Sequence, residues 1–489
     1  MSDKKLLLAN RCSRRDFIKV VSTGVVSCIL SVPSVFANQV NEKKRKPNIL
    51  FIAVDDLRPQ LGCYGHNQMI SPNIDQLASS GTIFNRTYCQ VPVCGASRAS
   101  LLTSVRPTKN RFVDYKTMAD EDLPGVLSLP KYLKEKGYYT ISNGKVFHHQ
   151  YDCEDSWSEK PWRPTGDWVG RGYLEKNNQA IARKEKNGTG PAFENINVSD
   201  EEYPDGKLTE KAIKDIRRLK NMRKPFFLAV GYLKPHLPFN APAKYWNYYK
   251  RGNIDLADNP FRPKGAPDAA LHNWGELRQY YDIPKKGPLS DDMARTLVHG
   301  YYACVSYTDS MIGSLLMELD RLELRDNTII ILWGDHGWNL REHGLWCKHC
   351  NFETSLHSPL IISTPWHQRG QKTDALTEFV DIYPTICELC GLSIPVNLEG
   401  KSMVPLLENP RRQWKKAVFS RYKDGDSIKT DRYRYTEWSN SEGKIYARML
   451  YDHKKDPFEN VNISELPENQ ELVDKLSKML SNSWKAVAQ

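Results

Sequence analysis

The chain has 489 residues, 40% of them hydrophobic and 26% charged, with a formal net charge of +11. That length holds one large domain plus a smaller one, and no internal stretch approaches the roughly 18–20 apolar residues of a membrane span. No nucleic-acid-binding motif is found, so the basic balance fits either solubility or a polyanionic partner, and charge alone does not choose between them.

The N-terminus reads as a targeting segment. Ser13-Arg14-Arg15-Asp16-Phe17-Ile18-Lys19 has the form of a twin-arginine motif, followed by an apolar run over 20–35 and the small-residue end Val35-Phe36-Ala37. The expectation is a signal peptide over 1–37, export as a folded protein, and a periplasmic address. Cys28, after Val25-Val26-Ser27, is the minor alternative of a lipoprotein site. Removing 1–37 takes away six basic and two acidic groups, lowering the charge from +11 to +7.

After a charged linker, residues 49–54 form a continuous apolar run that stops at Asp55-Asp56. Such a run is a buried parallel strand with acids at its C-terminal end. A helix over 74–80 then leads through Gly81 to a strand over 82–88. A second helix over 128–136, with Ser128 as N-cap and Pro130 in its first turn, leads through Gly137 to a strand over 138–141. Residues 151–220 are polar and read as loops over the sheet edge. Residues 226–232 form a further strand, 291–322 a long helical stretch, and 328–333 a second strongly apolar strand, which ends in Gly334-Asp335-His336-Gly337.

This alternation predicts an α/β fold, a mostly parallel sheet with helices on both faces. From about residue 411 short strands (417–422, 434–438) and a terminal helix near 469–487 predict a smaller α+β subdomain. The division is a catalytic domain over 38–410 and a C-terminal subdomain over 411–489. Cys347/Cys350 and Cys387/Cys390 each have the two-residue gap of a zinc knuckle. Cys387 and Cys390 sit in an apolar helical stretch, so buried thiols are the better reading of that pair.

Two strand ends carry acids, Asp55-Asp56 and Asp335-His336, and ligands of open α/β sheets gather at that edge. Several carboxylate oxygens at a rigid edge suit a hard cation. Cys94 follows Val91-Pro92-Val93 and precedes a helical stretch, beside the free N–H groups of a helix N-terminus, with Arg98 four positions on. Taken alone, Cys94 reads more readily as a buried cysteine at a strand-to-helix turn.

The run Cys94-Gly95-Ala96-Ser97-Arg98, with Leu102-Thr103 after it, resembles the Cys-x-Pro/Ala-x-Arg signature of the formylglycine-dependent sulfatases. Val54-Asp55-Asp56, Gly144-Lys145-Val146-Phe147-His148, Lys234-Pro235-His236, Gly334-Asp335-His336-Gly337-Trp338 and Glu342-His343-Gly344-Leu345-Trp346-Cys347-Lys348 follow in the family's order. The likeness reaches Arg434-Tyr435-Thr436-Glu437-Trp438 and Leu450-Tyr451-Asp452-His453, and within the family it is greatest to iduronate-2-sulfatase-like enzymes. Ala96 replaces the commoner proline, and Ser104 stands where the family usually has glycine.

The resemblance implies an alkaline phosphatase-like fold and a sulfatase in which a formylglycine-generating or anaerobic sulfatase-maturating enzyme oxidises Cys94 to formylglycine. Asp55, Asp56, Asp335 and His336 would hold Ca2+ together with an oxygen of the modified Cys94. His336, with an imidazole poorly suited to calcium, could contact the sulfate instead. Arg98 and Lys145 would hold the formylglycine hydrate, and His148, His236 and Lys348 would surround the sulfate, with His236 or Lys348 as general acid and His148 as base. The implied substrate is a sulfated polysaccharide or oligosaccharide, with a 2-O-sulfated uronate first and a carrageenan-type galactose sulfate second. A phosphate or phosphonate ester hydrolase of the same superfamily and a non-catalytic polyanion binder are the competing readings. Trp338, His343 and the 151–220 segment are candidate sugar contacts by position only.

Overall fold

A computed structural model describes residues 45–164 and 172–482; the expected signal segment and the Cys28 alternative lie outside them. Strand β1 (Asn48–Val54) is buried along its whole length. Its alternate residues face two separate cores, which is why the run is apolar on both faces. Leu50, Ile52 and Val54 point into one core, and Ile49, Phe51 and Ala53 into the other.

β1 is an inner strand of a seven-stranded sheet. Its other strands are β2 (Thr82–Phe84), β3 (Tyr139–Gly144), β4 (Phe226–Tyr232), β5 (Thr328–Gly334), β6 (Leu360–Ser363) and β7 (Gln371–Thr373), in spatial order β7-β2-β6-β5-β1-β4-β3. β5, β1, β4 and β3 are mutually parallel neighbours. β6 alone runs against its neighbours β5 and β2.

The helices cover both faces, as the alternation predicts. On one side lie α1 (Pro72–Ser79), α4 (Pro204–Asn221) and α5 (Asp291–Arg321), contributing Ile74, Leu208, Ile216, Tyr301 and Ile312. On the other lie α2 (Cys94–Thr103), α3 (Leu129–Glu135) and α6 (Ile382–Leu389), contributing Ala99, Leu133 and Ile386. Ser128 is the N-cap of α3, accepting from Lys131 N at 3.4 Å, and Ser290 that of α5, accepting from Met293 N at 3.2 Å. A four-stranded antiparallel sheet follows in sequence order: β8 (Ala417–Tyr422), β9 (Gly425–Thr430), β10 (Tyr433–Ser439) and β11 (Ile445–Asp452). Helix α7 (Gln470–Ser481) packs Val473 and Leu476 against its Ile428, Tyr435 and Leu450. No helix of the described residues is long and apolar enough to cross a membrane.

The reading of 151–220 as loops is corrected by α4 and by the helix Lys176–Lys184. In α4 Leu208, Ala212, Ile216 and Leu219 form a buried stripe at helical spacing, diluted in sequence by the charged residues of the outer face. The expected strand over 82–88 breaks in two, its second piece Thr87–Tyr88 leaving the main sheet to pair with Thr377–Glu378. The two cysteine pairs lie in different cores, Cys347 and Cys350 in one and Cys387 and Cys390 in the other, so they do not share a zinc. All cysteines among the described residues are free thiols.

Candidate active site

Four parallel strands deliver the polar residues to one edge. The register places Val54 of β1 beside Gly334 of β5 and Tyr232 of β4, and Gly144 of β3 beside Gly231 of β4. The residues that come next, Asp55-Asp56, Asp335-His336, Lys145 and Lys234-Pro235-His236, therefore emerge side by side at the C-terminal ends of the strands. Two glycines make the β3–β4 joint close enough. A Cβ on Gly231 would stand 2.0 Å from Lys145 O, and one on Gly144, at φ +76°, 2.2 Å from Gly231 O.

Cys94 opens α2, behind the extended N-cap Val93, whose side chain makes no cap. The first N–H groups of the helix and its positive end therefore face the same edge. A Cβ on Gly95 would come within 2.7 Å of Tyr115 O and 2.8 Å of Asp114 O, so only glycine lets this turn seat against that loop. Ser104 closes α2 with φ +52°, which explains the family's preference for glycine there. Its hydroxyl is held by Val380 O at 2.6 Å.

Arg98, one turn into α2, is completely buried and ties the strand ends together. Its Nε donates to Asp335 Oδ2 (3.0 Å), Nη2 to Asp55 Oδ1 (3.1 Å), and Nη1 to the carbonyls of Lys145 and Val146. Lys145 Nζ donates to the other oxygen of Asp55 at 2.5 Å. Asp56 takes a left-handed backbone (φ +62°), donating its N–H to Asp335 Oδ1 (2.9 Å) and accepting Tyr301 Oη on its carbonyl (2.9 Å). Its carboxylate receives Lys348 Nζ at 3.1 and 3.3 Å. Such a backbone outlier, locked from both sides, aims a side chain at a functional edge.

Cys94 Sγ lies 3.2 Å from His336 Nε2 and 3.9 Å from Asp56 Oδ1. His336 Nδ1 faces Gly337 O at 2.9 Å, which turns the Nε2 edge of the ring toward Cys94. His236 Nε2 stands 3.8 Å from Asp56 Oδ2, and Nδ1 faces Leu237 O at 2.6 Å. The Lys234–His236 loop is fixed by Asp205, whose carboxylate accepts the N–H groups of Leu233 and Lys234. His148 sits at the margin, its ring 4.8 Å from that of His149, with Nδ1 buried and unpaired among the described residues.

Asp55, Asp56, Cys94, Arg98, Lys145, His236, Asp335, His336 and Lys348 thus lie together at this edge, with His148 at its margin. Asp55, Asp56, Cys94 and His236 offer ligand atoms within 4.8 Å of one another, as do Cys94, Asp335 and His336. Sequence reasoning missed Glu276, which accepts Lys348 Nζ at 2.8 Å and lies 3.1 Å from His236 Nε2. It also missed Arg163, which donates to the carbonyls of Phe147 and His148. Both come from loops without a motif, and nothing local marks them. His343 is packed against Phe352, with Nε2 on Phe458 O, and Trp338 is 1% exposed beneath Lys348.

Burial and charge set the protonation states. Burial would raise the Asp55 carboxyl, but Lys145, His236 and Arg98 hold it well below the usual carboxylate range. Burial lifts Asp56 to about 7 against the pull of Lys348, and the like charge of Asp55 adds to the lift. Burial also pushes the Cys94 thiol well up, with Asp55 reinforcing it and Lys145 and Lys348 opposing. Burial, with Lys145 beside it, keeps His148 well below the ordinary imidazole value.

The "Sulfatase" family model matches residues 47–392. The chain is a member of the sulfatase family. As a sulfatase it hydrolyses sulfate esters. A second model, "N-sulphoglucosamine sulphohydrolase, C-terminal", matches residues 341–486. This sulfatase is 33% identical to iduronate 2-sulfatase of Homo sapiens over 90% of this chain and 95% of that one. It is 30% identical to a sulfatase of Formosa agariphila over 89% and 86%. In fold it resembles a protein solved with its substrate D-glucosamine-2-N,6-O-disulfate (TM-score 0.71, 23% identity, 90% of this chain and 98% of that chain). It also resembles the phosphonate monoester hydrolase of Agrobacterium radiobacter (TM-score 0.73, 22% identity, 89% and 95%).

Proposed function

We propose that this sulfatase removes a sulfate group from a sulfated polysaccharide or oligosaccharide, with a 2-O-sulfated uronate as the preferred substrate. It would do so through formylglycine made from Cys94 and a calcium ion at the strand ends. The observation that carries the chemistry is the meeting of Cys94, at a helix N-terminus, with Asp55, Asp56 and Asp335 on one side and Lys145, His148, His236 and Lys348 on the other. The substrate reading rests on the 33% identity to iduronate 2-sulfatase over nearly the whole of both chains.

The donor set fits a hard divalent cation, because Asp55, Asp56 and Asp335 are fully buried carboxylates with no net positive partner to spare. Among the described residues, four carboxylates (these three and Glu276) face the cations Arg98, Lys145 and Lys348. Asp55, Asp56, Asp335 and an oxygen of modified Cys94 would hold the ion, and His336 turns its Nε2 edge the same way. Bound calcium would polarise the sulfate oxygens and lower the pKa of an adjacent hydroxyl.

A buried thiol held in its neutral form is a poor nucleophile, so unmodified Cys94 would be ill suited to attack sulfur. Formylglycine at position 94, held by Arg98 and Lys145, would supply the geminal diol of an aldehyde hydrate as the nucleophile. The protein's own groups do the rest. His148, kept neutral by burial and Lys145, accepts a proton. His236 or Lys348 supplies one to the departing sugar oxygen. Arg98 and Lys145 hold the nucleophile's position, and the cationic groups stabilise charge on the sulfate oxygens in a pocket poor in water.

The maturase for Cys94 and export through the twin-arginine segment belong to the same reading, and intact-mass analysis of protein from an oxidising host and from a periplasmic extract tests both. The deciding experiment measures inorganic sulfate released from defined sulfated disaccharides, with phosphate and phosphonate monoesters alongside. Turnover of 2-O-sulfated uronates above galactose sulfates is expected. Faster turnover of the phosphorus esters would refute the reading.

A further inference from the structure

The guanidinium of Arg163 stands at the pocket margin outside the charge pairing of the site. Among the described residues it makes no ion pair, and its hydrogen bonds go to backbone: Nη2 donates to Phe147 O at 2.9 Å and to His148 O at 3.0 Å. Burial and the like charge of Arg98 bring the group down to about 10, with the charge of Asp55 opposing. A desolvated cation without an acidic partner costs stability rather than adding it, so charge pairing does not explain its place.

We propose that Arg163 is a positioning residue that fixes His148 by clamping the end of the turn that carries it; the proposal rests on the reading of His148 as the group that accepts a proton. Three observations carry it. The first is the division of the turn between two guanidiniums. Arg98 Nη1 holds the carbonyls of Lys145 and Val146, and Arg163 Nη2 holds those of the next two residues, so four consecutive carbonyls are fixed by two arginines. The second is what His148 lacks. His236 and His336 each face a backbone carbonyl through Nδ1, at 2.6 and 2.9 Å. His148 Nδ1 is buried and unpaired among the described residues, and its ring has His149 and Tyr115 as ring neighbours, with centroids 4.8 and 6.4 Å away. With no hydrogen bond at Nδ1 to aim the imidazole, its aim follows from where the backbone is held. The third is delivery. Trp162 lies alongside β3, donating its N–H to Ser142 O at 2.9 Å and accepting that of Gly144 at 2.8 Å. This short ladder sets Arg163 against the turn that leaves the strand.

A guanidinium is planar and fixes the direction of its donors, whereas an ammonium on a flexible stem does not. A proton acceptor displaced by about 1 Å costs on the order of 10²-fold in rate. Loss of the clamp should therefore appear in kcat, through His148, and leave the ion site and the binding of the ester as they were.

The test compares wild type, Arg163→Lys, Arg163→Ala, His148→Gln and the double variant Arg163→Ala with His148→Gln. Each is assayed on the sulfated disaccharide that wild type turns over fastest, with calcium titration, melting curves and hydrogen exchange of the peptide spanning 145–149. Arg163→Ala is expected to lose about tenfold to a hundredfold in kcat, with KM within about threefold. Arg163→Lys should stay low, since it keeps the charge and loses the geometry, and it decides the matter if the alanine variant does not fold. Exchange should quicken in the 145–149 peptide and stay unchanged across the main sheet. In the His148→Gln background Arg163→Ala should cost no more than about threefold, because the two residues act as one unit. Full activity in Arg163→Lys, a loss carried by KM, faster exchange throughout the sheet, or the same loss with and without His148 would overturn the proposal. A His148→Gln variant with wild-type kcat overturns the underlying reading of His148 instead.

Discussion

Replacing Gly231 by alanine tests how the β3–β4 joint builds the site without touching any chemical group. The new Cβ would lie 2.0 Å from Lys145 O, 2.1 Å from Lys145 C and 2.7 Å from Lys145 N, whereas real Cβ contacts essentially never fall below 3.0 Å. The strands must separate by about 1 Å, because the struck atoms are backbone and cannot rotate away. Lys145 N also donates to Gly231 O at 2.8 Å, and Lys145 O receives Arg98 Nη1, so the displacement strains both bonds and shifts the ammonium that holds Asp55. Overpacking of this kind costs about 1–3 kcal/mol, and the upper end is expected here. A catalytic group misplaced by about 1 Å costs on the order of 10²-fold in rate. Chemical denaturation would read the first and sulfate release at saturating substrate the second, with Gly252→Ala as control, since a Cβ there meets nothing within 4 Å. Wild-type stability would refute the steric argument. Lost stability with a wild-type kcat would refute the claim that this joint positions Lys145.

Cys94→Ala abolishes sulfate release while leaving the unfolding free energy within about 1 kcal/mol, because one small side chain is removed; residual turnover above background would sink the assignment of the nucleophile. Calcium at about 100 times its Kd is expected to stabilise the protein by about 2.7 kcal/mol, and Asp335→Asn or a chelator to remove that gain, as calorimetry with and without the ion would read. Glu378, buried between Arg106 and Lys415, has its carboxyl held down at about 2 by those cations against the effect of burial. A depressed carboxyl contributes stability that is present above its unfolded value near 4.5 and is lost as pH falls through about 2, here about 3 kcal/mol. The stability gap between wild type and Glu378→Gln should therefore shrink on acidification from pH 5 downward, and a pH-independent gap would contradict it. His148→Gln lowers kcat by about 10²–10⁴-fold at constant calcium affinity, measured by rate and by ion titration; a weakened ion site would assign His148 a different role.

The local sequence determined much of this. Apolar runs ending in Asp55-Asp56 and Asp335-His336 already specify buried strands with acids at their ends, because a strand covered on both faces must be apolar throughout. The order of Cys94, Lys145, His148, His236 and Lys348 marked the chemistry through likeness to a family, where each residue alone read as an ordinary loop or core residue. Helix α4 was hidden, since its buried stripe is outnumbered by the charges of its solvent face. So was β6, four residues long and antiparallel, whose partner strands decide its direction.

Tertiary structure alone decided who meets whom. Glu276 reaches His236 and Lys348 across 40 and 72 residues of chain, in a contact that no spacing announces. The shared register of β5, β1, β4 and β3 turned four separate strand ends into one edge. Hydrophobic patterning is a property of neighbours along the chain, and it fixes which segments are buried. The pairing of buried charges depends on distances across the fold, and those exist only once the strands have found their order.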